Sequence, residues 1–355
     1  MRYLGIDVHS KTSVWCLLDA QGEPIEQGST ETTMPALQAL VARLGKDDEL
    51  LAGQEAGSMA YLVHDALTGA GVRLLTFNPV HLRMIAASRK KTDRRDAYWI
   101  ARALQTGMMP HPVYIPYGEV RELRGLLHRR EVIQRDYNRW RNRAKAQMRS
   151  SGVLVGRGVR SLKVAMETHL EACTAGVDGL LLDGIGLCER NMELLKEELD
   201  HMDAMLNRRT KGIDAIRRMM TIPGVGDVVA VTIYACVGDI TRFPNAKALA
   251  AYAGLVPSVR QSGSANVHGR ITKEGSPMLR RILVQAAHVA ANRCQGDEAK
   301  PFKNTFDRIR GTRGRKKIAT VALARHILRI AYYVLRDGTV YDAGRLGVER
   351  TVAAA

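Results

Sequence analysis

The chain has 355 residues, which is enough for two or three domains and at least one sizeable core. Its 53 lysines and arginines exceed its 36 aspartates and glutamates, so the formal net charge is +17 and the pI is near 9.9. Because these cations are spread along the chain rather than held in a tail, they attract polyanions and favour nucleic acid as the partner.

Membrane association and a disulfide scaffold are both disfavoured. No stretch reaches about 18 consecutive apolar residues, and the N-terminus enters a strand pattern at once instead of a signal peptide. The five cysteines are odd in number and widely separated, so neither a disulfide framework nor a zinc ribbon is indicated. We therefore expect a soluble protein of the cytoplasm with no membrane partner.

The first region, to roughly Pro116, alternates strand and helix patterns. Strands are predicted at Arg2 to Val8, Ser13 to Asp19, Glu49 to Gln54 and Val72 to Phe77, and a helix at Met34 to Leu44. A turn over residues 21–24 follows the second strand. Two opening strands, followed by strands separated by helices, predict a mixed α/β sheet. This order matches the ribonuclease-H-like fold, although many α/β domains would share it.

Four acidic residues of this region form a candidate metal site. Asp7 and Glu55 each stand near the end of a predicted strand, while Asp93 and Asp96 are three apart and would share one face of a helix. Magnesium takes one or two protein carboxylates together with phosphate oxygens, and two ions about 4 Å apart would stabilise both oxygens of a phosphoryl transfer. A single aspartate is more often a turn or cap residue, so the prediction of Mg²⁺ or Mn²⁺ binding depends on the whole set.

From Glu119 to Ser150 the chain becomes helical and strongly basic. Its apolar residues recur at three-to-four spacing, so one face can pack while the others stay charged. A solvated charged surface would explain such a run, but the excess of cations favours a surface that contacts phosphates. Arg135, Arg139 and Arg143 are the arginines expected to make those contacts.

A second helix is predicted from Cys188 to Leu206. Its apolar residues follow the alternating four- and three-residue steps of a coiled-coil seam: Met192, Leu195, Leu199, Met202 and Leu206. The pattern fits an intramolecular helical hairpin and a dimer seam equally well. Between the two helices, Gly152 to Gly186 is glycine-rich and irregular, and we interpret it as a stretch with a flexible connection.

The last region begins near Gly212 and is expected to be mostly helical. Residues 221–230 resemble a helix-hairpin-helix, in which Gly224 and Gly226 would let backbone amides approach a phosphate. A corner that uses glycine only to turn is the alternative.

Ser262, followed by Gly263, is the candidate nucleophile of the last region. On spacing alone a Ser-Gly pair is usually a turn, and a serine hydroxyl needs a base or a metal to lose its proton. The nearest histidine is His268. The metal cluster could be the activator if the fold or a partner subunit brings it close.

Together these residues resemble the transposases of the insertion-sequence 110 and 1111 type, which are related to the Piv-like DNA invertases and act as bridge-RNA-guided recombinases. The N-terminal resemblance is carried by Gly5-Ile6-Asp7, Glu55-Ala56-Gly57, Asn78-Pro79, Lys91-Thr92-Asp93 and Asp96-Ala97. The C-terminal resemblance is carried by Ile222 to Gly226, Arg242-Phe243, Ala253 to Pro257, Ser262-Gly263 and Lys273 to Arg281.

The resemblance implies three domains. Residues 1–118 would form a RuvC-like domain of the ribonuclease-H fold, whose Asp7, Glu55, Asp93 and Asp96 bind magnesium. Residues 119–211 would form the basic helix and a coiled-coil region, and residues 212–345 the C-terminal transposase domain. Ser262 would attack a DNA phosphate and form a covalent phosphoserine link. Ser264 lies only two residues further on, and the Gln261-Ser262-Gly263 context favours Ser262.

The implied partners are donor and target DNA, a bridge RNA and further copies of the chain, as dimers that pair into a tetramer. Lys273, Arg280 and Arg281 would then contact nucleic acid. The cell would be bacterial or archaeal, with the protein at the nucleoid when active. Two other functions stay open: a RuvC-like nuclease that uses water, with a structural Ser262, and a non-catalytic nucleic-acid-binding protein. Retention of all four acids argues against the second, because carboxylates repel phosphate.

Overall fold

The computed structural model describes residues 1–45, 49–80, 82, 92–109, 111–150, 152, 155, 162, 164–167, 179–262 and 265–344. The chain divides into two compact units, Met1–Pro116 and Tyr117–Ala355. The division into domains 1–118, 119–211 and 212–345 stays a prediction.

The first unit is built on a five-stranded mixed sheet. Its strands are β1 (Arg2–Val8), β2 (Thr12–Leu18), β3 (Pro24–Glu31), β4 (Leu50–Glu55) and β5 (Arg73–Phe77), in the order β3-β2-β1-β4-β5. The pairs β1/β2 and β2/β3 are antiparallel, and β1/β4 and β4/β5 are parallel. The helices are α1 (Met34–Leu44), α2 (Ala60–Gly69) and α3 (Asp93–Thr106). The four predicted strands and the predicted helix α1 are confirmed, with bounds that agree within one residue.

Strand β3 is absent from the sequence-based prediction, which placed only a turn before it. The strand lies at the edge of the sheet, and six of its eight residues are exposed. An exposed edge strand does not need the apolar alternation that marks a half-buried strand. The sequence signal used to find the other strands is therefore missing here.

The two faces of β1 contact different helices. Leu4 and Ile6 are fully buried among side chains of α1 and α2. On the other face, β2 residues Cys16 and Leu18 pack against Ala97 and Ala101 of α3. Successive side chains of a strand alternate between faces, so Asp7 lies on the α3 face of the sheet.

The second unit is mostly helical, as predicted for its last region. Its helices are α4 (Gly118–Ser150), α5 (Gly179–Thr210), α6 (Asp214–Met219), α7 (Asp227–Val237), α8 (Ala246–Tyr252), α9 (Pro277–Asn292), α10 (Lys300–Arg310) and α11 (Lys316–Asp337). One core joins α7, α9 and α11 and includes Leu123 and Leu127 of α4.

Helices α4 and α5 pack along each other within the chain. Leu199, Met202 and Leu206 of the predicted seam are buried. Across the pair, the Arg130 guanidinium donates two hydrogen bonds to the Asp203 carboxylate, the longer being 2.9 Å. These contacts form the intramolecular hairpin that the seam pattern allowed. Most of the stretch from Gly152 to Gly186 lies outside the described residues.

A two-stranded hairpin of β6 (Pro257–Ser262) and β7 (Ala265–Ile271) interrupts the helices. The helical expectation for this region omitted it. Strand β7 alternates apolar residues or glycine with polar residues, in the sequence Ala265-Asn266-Val267-His268-Gly269-Arg270-Ile271, so a strand signal was present and was overlooked.

Helix α11 is, among the described residues, long and apolar enough to cross a membrane by length and composition. Its Leu323, Ile327 and Leu328 are fully buried against the other helices of the second unit. Burial in a protein core therefore accounts for its apolar character.

Candidate active site

Asp7 and Glu55 lie near the same ends of two neighbouring parallel strands. Asp7 is the penultimate residue of β1 and Glu55 the last residue of β4. The strand register pairs Ile6 with Gln54, so the next residue of each strand is an acid. The side chain of Asp7 is only 16% exposed. The parallel pairing thus brings these two predicted ligands to one edge of the sheet.

Asp93 and Asp96 lie in the first turn of α3. Thr92 precedes the helix in an extended conformation, and its carbonyl oxygen accepts a hydrogen bond of 3.0 Å from the Asp96 amide. Acidic residues are favoured at a helix N-terminus because the helix dipole is positive there. That preference explains two aspartates at a helix start, and the packing of α3 on the Asp7 face directs the turn towards the sheet.

His9 lies between the strand and the helix. Its Nε2 atom is 3.4 Å from Oδ2 of Asp7 and 3.3 Å from Oδ2 of Asp93. One ligand atom from each of these three residues lies within 4.8 Å of the others. The sequence prediction considered carboxylates only and missed His9. Its position two residues after Asp7, on the same face of an extended chain, was the available signal.

The acids act on one another electrostatically. Burial raises the pKa of the Asp7 carboxyl above its ordinary value of 3.8, and His9 partly opposes this change. The negative charges of Asp96, Asp93 and Glu55 raise the pKa further. Asp96, Asp93 and Glu55 are thus close enough to Asp7 to act on its charge. Among the described residues, however, only Asp7, His9 and Asp93 have ligand atoms within 4.8 Å of one another, and Glu55 and Asp96 are not in that group. A hard divalent cation, which prefers oxygen ligands, fits this set of donors.

Gly5 allows α3 to lie close to β1. A methyl group at Gly5 would overlap the carbonyl oxygen of Ala97 and lie 2.5 Å from the backbone nitrogen of Ala101. The strand and the helix therefore meet backbone to backbone one turn from the acids. This close approach fixes the distance between Asp7 and the start of α3.

Ser262 is the last residue of β6 and pairs with Ala265 at the tip of the hairpin. Its side chain lies outside the described part of the chain, as do Gly263 and Ser264. Val259 pairs with His268, so the backbone of the nearest histidine lies further down the hairpin. Ser262 belongs to the second unit and the four acids to the first.

The arginines predicted to contact phosphates lie on α4 with local partners. Arg139 donates a hydrogen bond of 2.7 Å to Asp136, and Arg135 lies 4.0 Å from Glu131. The Arg143 guanidinium lies over the Trp140 ring, 4.5 Å from its centroid. The side chains of Arg135 and Arg139 remain 52% and 71% exposed. Exposed ion pairs of this kind contribute little to folding stability, and they leave the arginines accessible to a polyanion.

Arg280 and Arg281 have partners within the second unit. Nη1 of Arg280 donates a hydrogen bond of 3.1 Å to the carbonyl oxygen of Ala253, and Arg281 pairs with Glu131 of α4. Lys273 is exposed and has a positive φ of 58°, the one non-glycine with positive φ in the described chain. Arg280 therefore has a structural contact that the sequence alone did not indicate.

The two glycines of the predicted helix-hairpin-helix have different surroundings. Gly224 has φ of 85°, and a methyl group there would lie 2.5 Å from the carbonyl oxygen of Ala286 in α9. Gly226 precedes α7, and a methyl group there would have no atom within 4 Å. Packing against α9 is enough to require Gly224, whereas no contact within the described chain requires Gly226.

Comparison with known proteins gives the class. A family model described as "Transposase", of the DEDD IS110 type, matches residues 4–152, and one described as "Transposase IS116/IS110/IS902 family" matches residues 216–304. The chain is thus a transposase, an enzyme that processes DNA.

Three relatives show how far the similarity extends. The transposase for insertion sequence element IS1111A of Coxiella burnetii is 24% identical over 97% of this chain and 92% of its own length. The IS1328 transposase of Yersinia enterocolitica is 28% identical over 81% of this chain and 83% of its own. A pilin gene-inverting protein of Moraxella bovis is 26% identical over 75% and 73%. The chain belongs to the family of IS110-type transposases.

Proposed function

We propose that this chain is a site-specific DNA recombinase that excises and inserts a mobile element, with Ser262 as the nucleophile and a divalent-metal site that assists the reaction. The observation that carries the proposal is the group of Asp7, His9 and Asp93, whose ligand atoms lie within 4.8 Å of one another in a strongly basic protein. The strand register places Glu55 next to Asp7, and Asp96 lies in the same helical turn as Asp93. Carboxylates repel a phosphate unless a cation lies between them. Such a set is therefore expected where cations and phosphate meet.

The sheet supports the finer fold assignment. The strand order β3-β2-β1-β4-β5, with β1 between an antiparallel and a parallel neighbour, agrees with a RuvC-like domain of the ribonuclease-H fold. The helix–turn–helix of α6 and α7 likewise agrees with a helix-hairpin-helix, and α4 with α5 agrees with a coiled-coil region. We include all three in the proposal.

Asp7, Glu55, Asp93 and Asp96 would hold magnesium or manganese, which when bound would stabilise charge on the phosphate oxygens. Oγ of Ser262 would form a bond to phosphorus while the bond from phosphorus to one sugar oxygen breaks. The Ser262 hydroxyl loses its proton in this step and the released sugar oxygen takes one up, so the net proton count does not change. The DNA strand stays joined to Ser262 as a phosphate ester until a sugar hydroxyl of the other strand attacks and releases the serine.

The metal assignment is tested by Asp7→Asn, Asp93→Asn and Asp96→Asn. Each change removes a ligand charge without adding bulk, so recombination should be lost while nucleic-acid affinity stays within about twofold. Recombination is measured on a plasmid that carries the element's ends, and binding by gel shift. Robust recombination by these variants in magnesium would exclude the metal role.

The serine assignment is tested by trapping the protein on labelled DNA in denaturing gels. Wild type and Ser264→Ala should give a covalent adduct, and Ser262→Ala should give none. Cleavage by Ser262→Ala without an adduct would instead indicate a metal-dependent nuclease that uses water.

A bridge RNA, if it guides the reaction, should purify with the protein, and its loops should be complementary to donor and target DNA. The RNA is identified by sequencing what co-purifies from the host cytoplasm. Full recombination by RNA-free protein would remove RNA guidance from the proposal and leave the serine mechanism intact. Assembly as a dimer and then a tetramer on DNA is measured by light scattering.

A further inference from the structure

The second unit has a cavity of about 1180 Å³ between α8, the base of the β6–β7 hairpin and α11. Its floor is aliphatic and is formed by Ala246, Ala250, Leu255, Ile271, Val321 and Ala322. Tyr333 lines it as well. Ligand pockets that enclose a drug-sized molecule usually measure about 300–1,000 Å³, so a nucleotide has ample room here.

The rim of the cavity is cationic. Six lysines and arginines line it: Lys247, Arg270, Lys273, Lys317, Arg325 and Arg329. Among the described residues that line the cavity, none is an aspartate or a glutamate. A small apolar metabolite would not need this charge, and a free phosphate would not need the aliphatic floor. The combination suits a ligand with one flat, poorly hydrated part and several negative charges around it, which is the chemistry of a nucleotide in a strand.

An exposed isoleucine extends the apolar surface beyond the cavity. Ile318, at the mouth, is 58% exposed, although it lies in a run rich in arginine and lysine at the start of α11. A single exposed apolar side chain is common on protein surfaces, and Ile318 matters here because it lines the same cavity as the aliphatic residues. The base of a neighbouring nucleotide would cover Ile318 while its phosphate pairs with Lys317.

The position of the cavity on the hairpin selects DNA as the occupant. Pro257, Gly269, Arg270 and Ile271 at the base of the hairpin line the cavity, and Ser262 lies at the tip of the same strand as Pro257. Five steps along a strand span about 16 Å, and a DNA strand advances about 3.4 Å per nucleotide. DNA attacked by Ser262 would therefore pass the cavity within about five nucleotides of the cut.

We propose that this cavity binds one unpaired nucleotide of the cleaved DNA strand, with its base on the aliphatic floor and the adjacent phosphates on the cationic rim. The inference depends on the proposed function for the choice of DNA. Strand exchange requires the cut strand to leave its complement, and a site for an unpaired base would hold the strand in that state.

The test measures the affinity of full-length protein by fluorescence anisotropy for a single-stranded DNA oligonucleotide of an element end and for its duplex. Ala322→Leu, which narrows the floor, and Lys317→Gln, which removes a rim charge, should each weaken single-strand binding at least about fivefold. Duplex affinity should change less than twofold. Matched controls are Ala251→Leu on the exposed side of α8 and Lys303→Gln on α10, neither of which lines the cavity.

A second series carries one abasic nucleotide at successive positions within five of the cut. At one position, loss of the base should weaken binding to the wild-type protein by about the same factor as Ala322→Leu does. The oligonucleotide that is abasic at that position should bind the wild-type and Ala322→Leu proteins with equal affinity. Unchanged single-strand binding by both cavity variants, or equal losses on duplex and single strand, would overturn the proposal. So would a cavity-dependent loss on RNA of the same sequence with none on DNA.

The outcome for the cavity is separable from that for the serine mechanism. Wild type that forms the covalent adduct while its cavity variants bind like wild type contradicts the cavity alone. Wild type without adduct formation, whose single-strand binding still depends on Ala322 and Lys317, contradicts the serine mechanism and retains the site. Circular dichroism identifies a variant that fails to fold, in which case the other variant and the abasic series decide.

Discussion

Asp7 is partly buried and is repelled by three other carboxylates, so its ionisation costs stability in the absence of a cation. Burial is the main cause of its raised pKa, and the charges of Asp96, Asp93 and Glu55 add to it against the opposing effect of His9. A carboxyl whose pKa is raised on folding binds its proton more tightly in the folded protein. Below the ordinary pKa of 3.8 the carboxyl is protonated in both the folded and the unfolded protein, so it does not lower the free energy of unfolding. As pH rises through the folded-state pKa, stability falls.

Asp7→Asn should therefore raise the melting temperature of the metal-free protein at pH 7, because the variant has no charge at this position to desolvate or repel. The gain should vanish near pH 3, and magnesium should stabilise wild type more than the variant. Differential scanning calorimetry with and without magnesium measures both effects. Asp136→Asn, which removes an exposed carboxylate of α4, is the control and should leave the magnesium response unchanged. Equal destabilisation by Asp7→Asn at both pH values would contradict the repulsion argument.

The sequence placed Asp7 and Glu55 near the ends of two strands with strong apolar character, and the structure agrees with those positions in β1 and β4. Because β1 pairs with β4 in parallel, Asp7 and Glu55 lie at the same end of the sheet. His9 was missed because a histidine next to a strand has no pattern of its own. Its role becomes visible only once the 3.3 Å distance to Asp93, on a helix more than 80 residues away, is known.

The periodicity of apolar residues predicted the helices and the buried strands correctly. It did not predict the exposed edge strand β3. Helix α1 buries Leu37, Leu40, Val41 and Leu44 on one face, and this spacing fixed its bounds from sequence. Strand β3 has no comparable buried face, because six of its eight residues are exposed. Backbone pairing with a neighbouring strand defines such elements, and single-residue patterns do not encode it.

The basic helix α4 gives an electrostatic prediction. Replacing Arg135, Arg139 and Arg143 by glutamine should weaken binding to nucleic acid and lower the slope of log affinity against log salt by about 2–3, about 0.9 for each lost phosphate contact. Anisotropy titrations at several salt concentrations measure the slope.

Arg130 provides the contrast, because its hydrogen bonds to Asp203 join α4 to α5. Arg130→Gln should lower the free energy of unfolding by about 1–2 kcal/mol and leave the salt slope nearly unchanged. An unchanged slope in the triple variant would mean that its arginines form only a solvated surface.

The turn before α7 separates a structural glycine from one available for binding. Gly224→Ala should cost about 2 kcal/mol of stability, because the backbone has positive φ and the methyl group meets Ala286. Gly226→Ala should cost less than about 1 kcal/mol. If the turn contacts a phosphate, Gly226→Ala should still weaken duplex binding severalfold. Chemical denaturation measures the loss of stability, and gel shift measures the loss of duplex affinity. Wild-type affinity in Gly226→Ala would mean that the turn only changes the direction of the chain and does not bind phosphate.

At the scale of the molecule, the proposed ligands of the metal and the proposed nucleophile lie in different compact units. Family similarity and compactness also divide the chain differently, because the N-terminal family model runs to residue 152 while the first unit ends at Pro116. Helix α4 contributes Leu123 and Leu127 to the core of the second unit. The change of pattern near Pro116 indicated the end of the first unit from the sequence, whereas the extent of the family similarity did not, because that similarity includes α4.

Mixing two inactive subunits tests whether one subunit completes the other's site. Asp7→Asn and Ser262→Ala should each fail to cleave alone, and their mixture should regain part of the activity if the acids of one subunit act with the serine of another. Cleavage is measured on labelled DNA, and co-assembly by pull-down of differently tagged subunits. A mixture that assembles and stays inactive would show that each subunit completes its own site.

The close contact of β1 with α3 bears on how inactive copies of this gene are recognised. Substitution of Gly5 by alanine would push α3 away from the strand, since the added methyl group overlaps the Ala97 carbonyl. Every acid would remain, yet the distance between Asp7 and Asp93 would grow, which would disrupt the proposed metal site. Gly5→Ala should therefore abolish magnesium binding, measured by calorimetry, as fully as Asp7→Asn does. A gene copy with all four acids but alanine at residue 5 would therefore encode an inactive protein. Inspection of the acids alone would classify that copy as active.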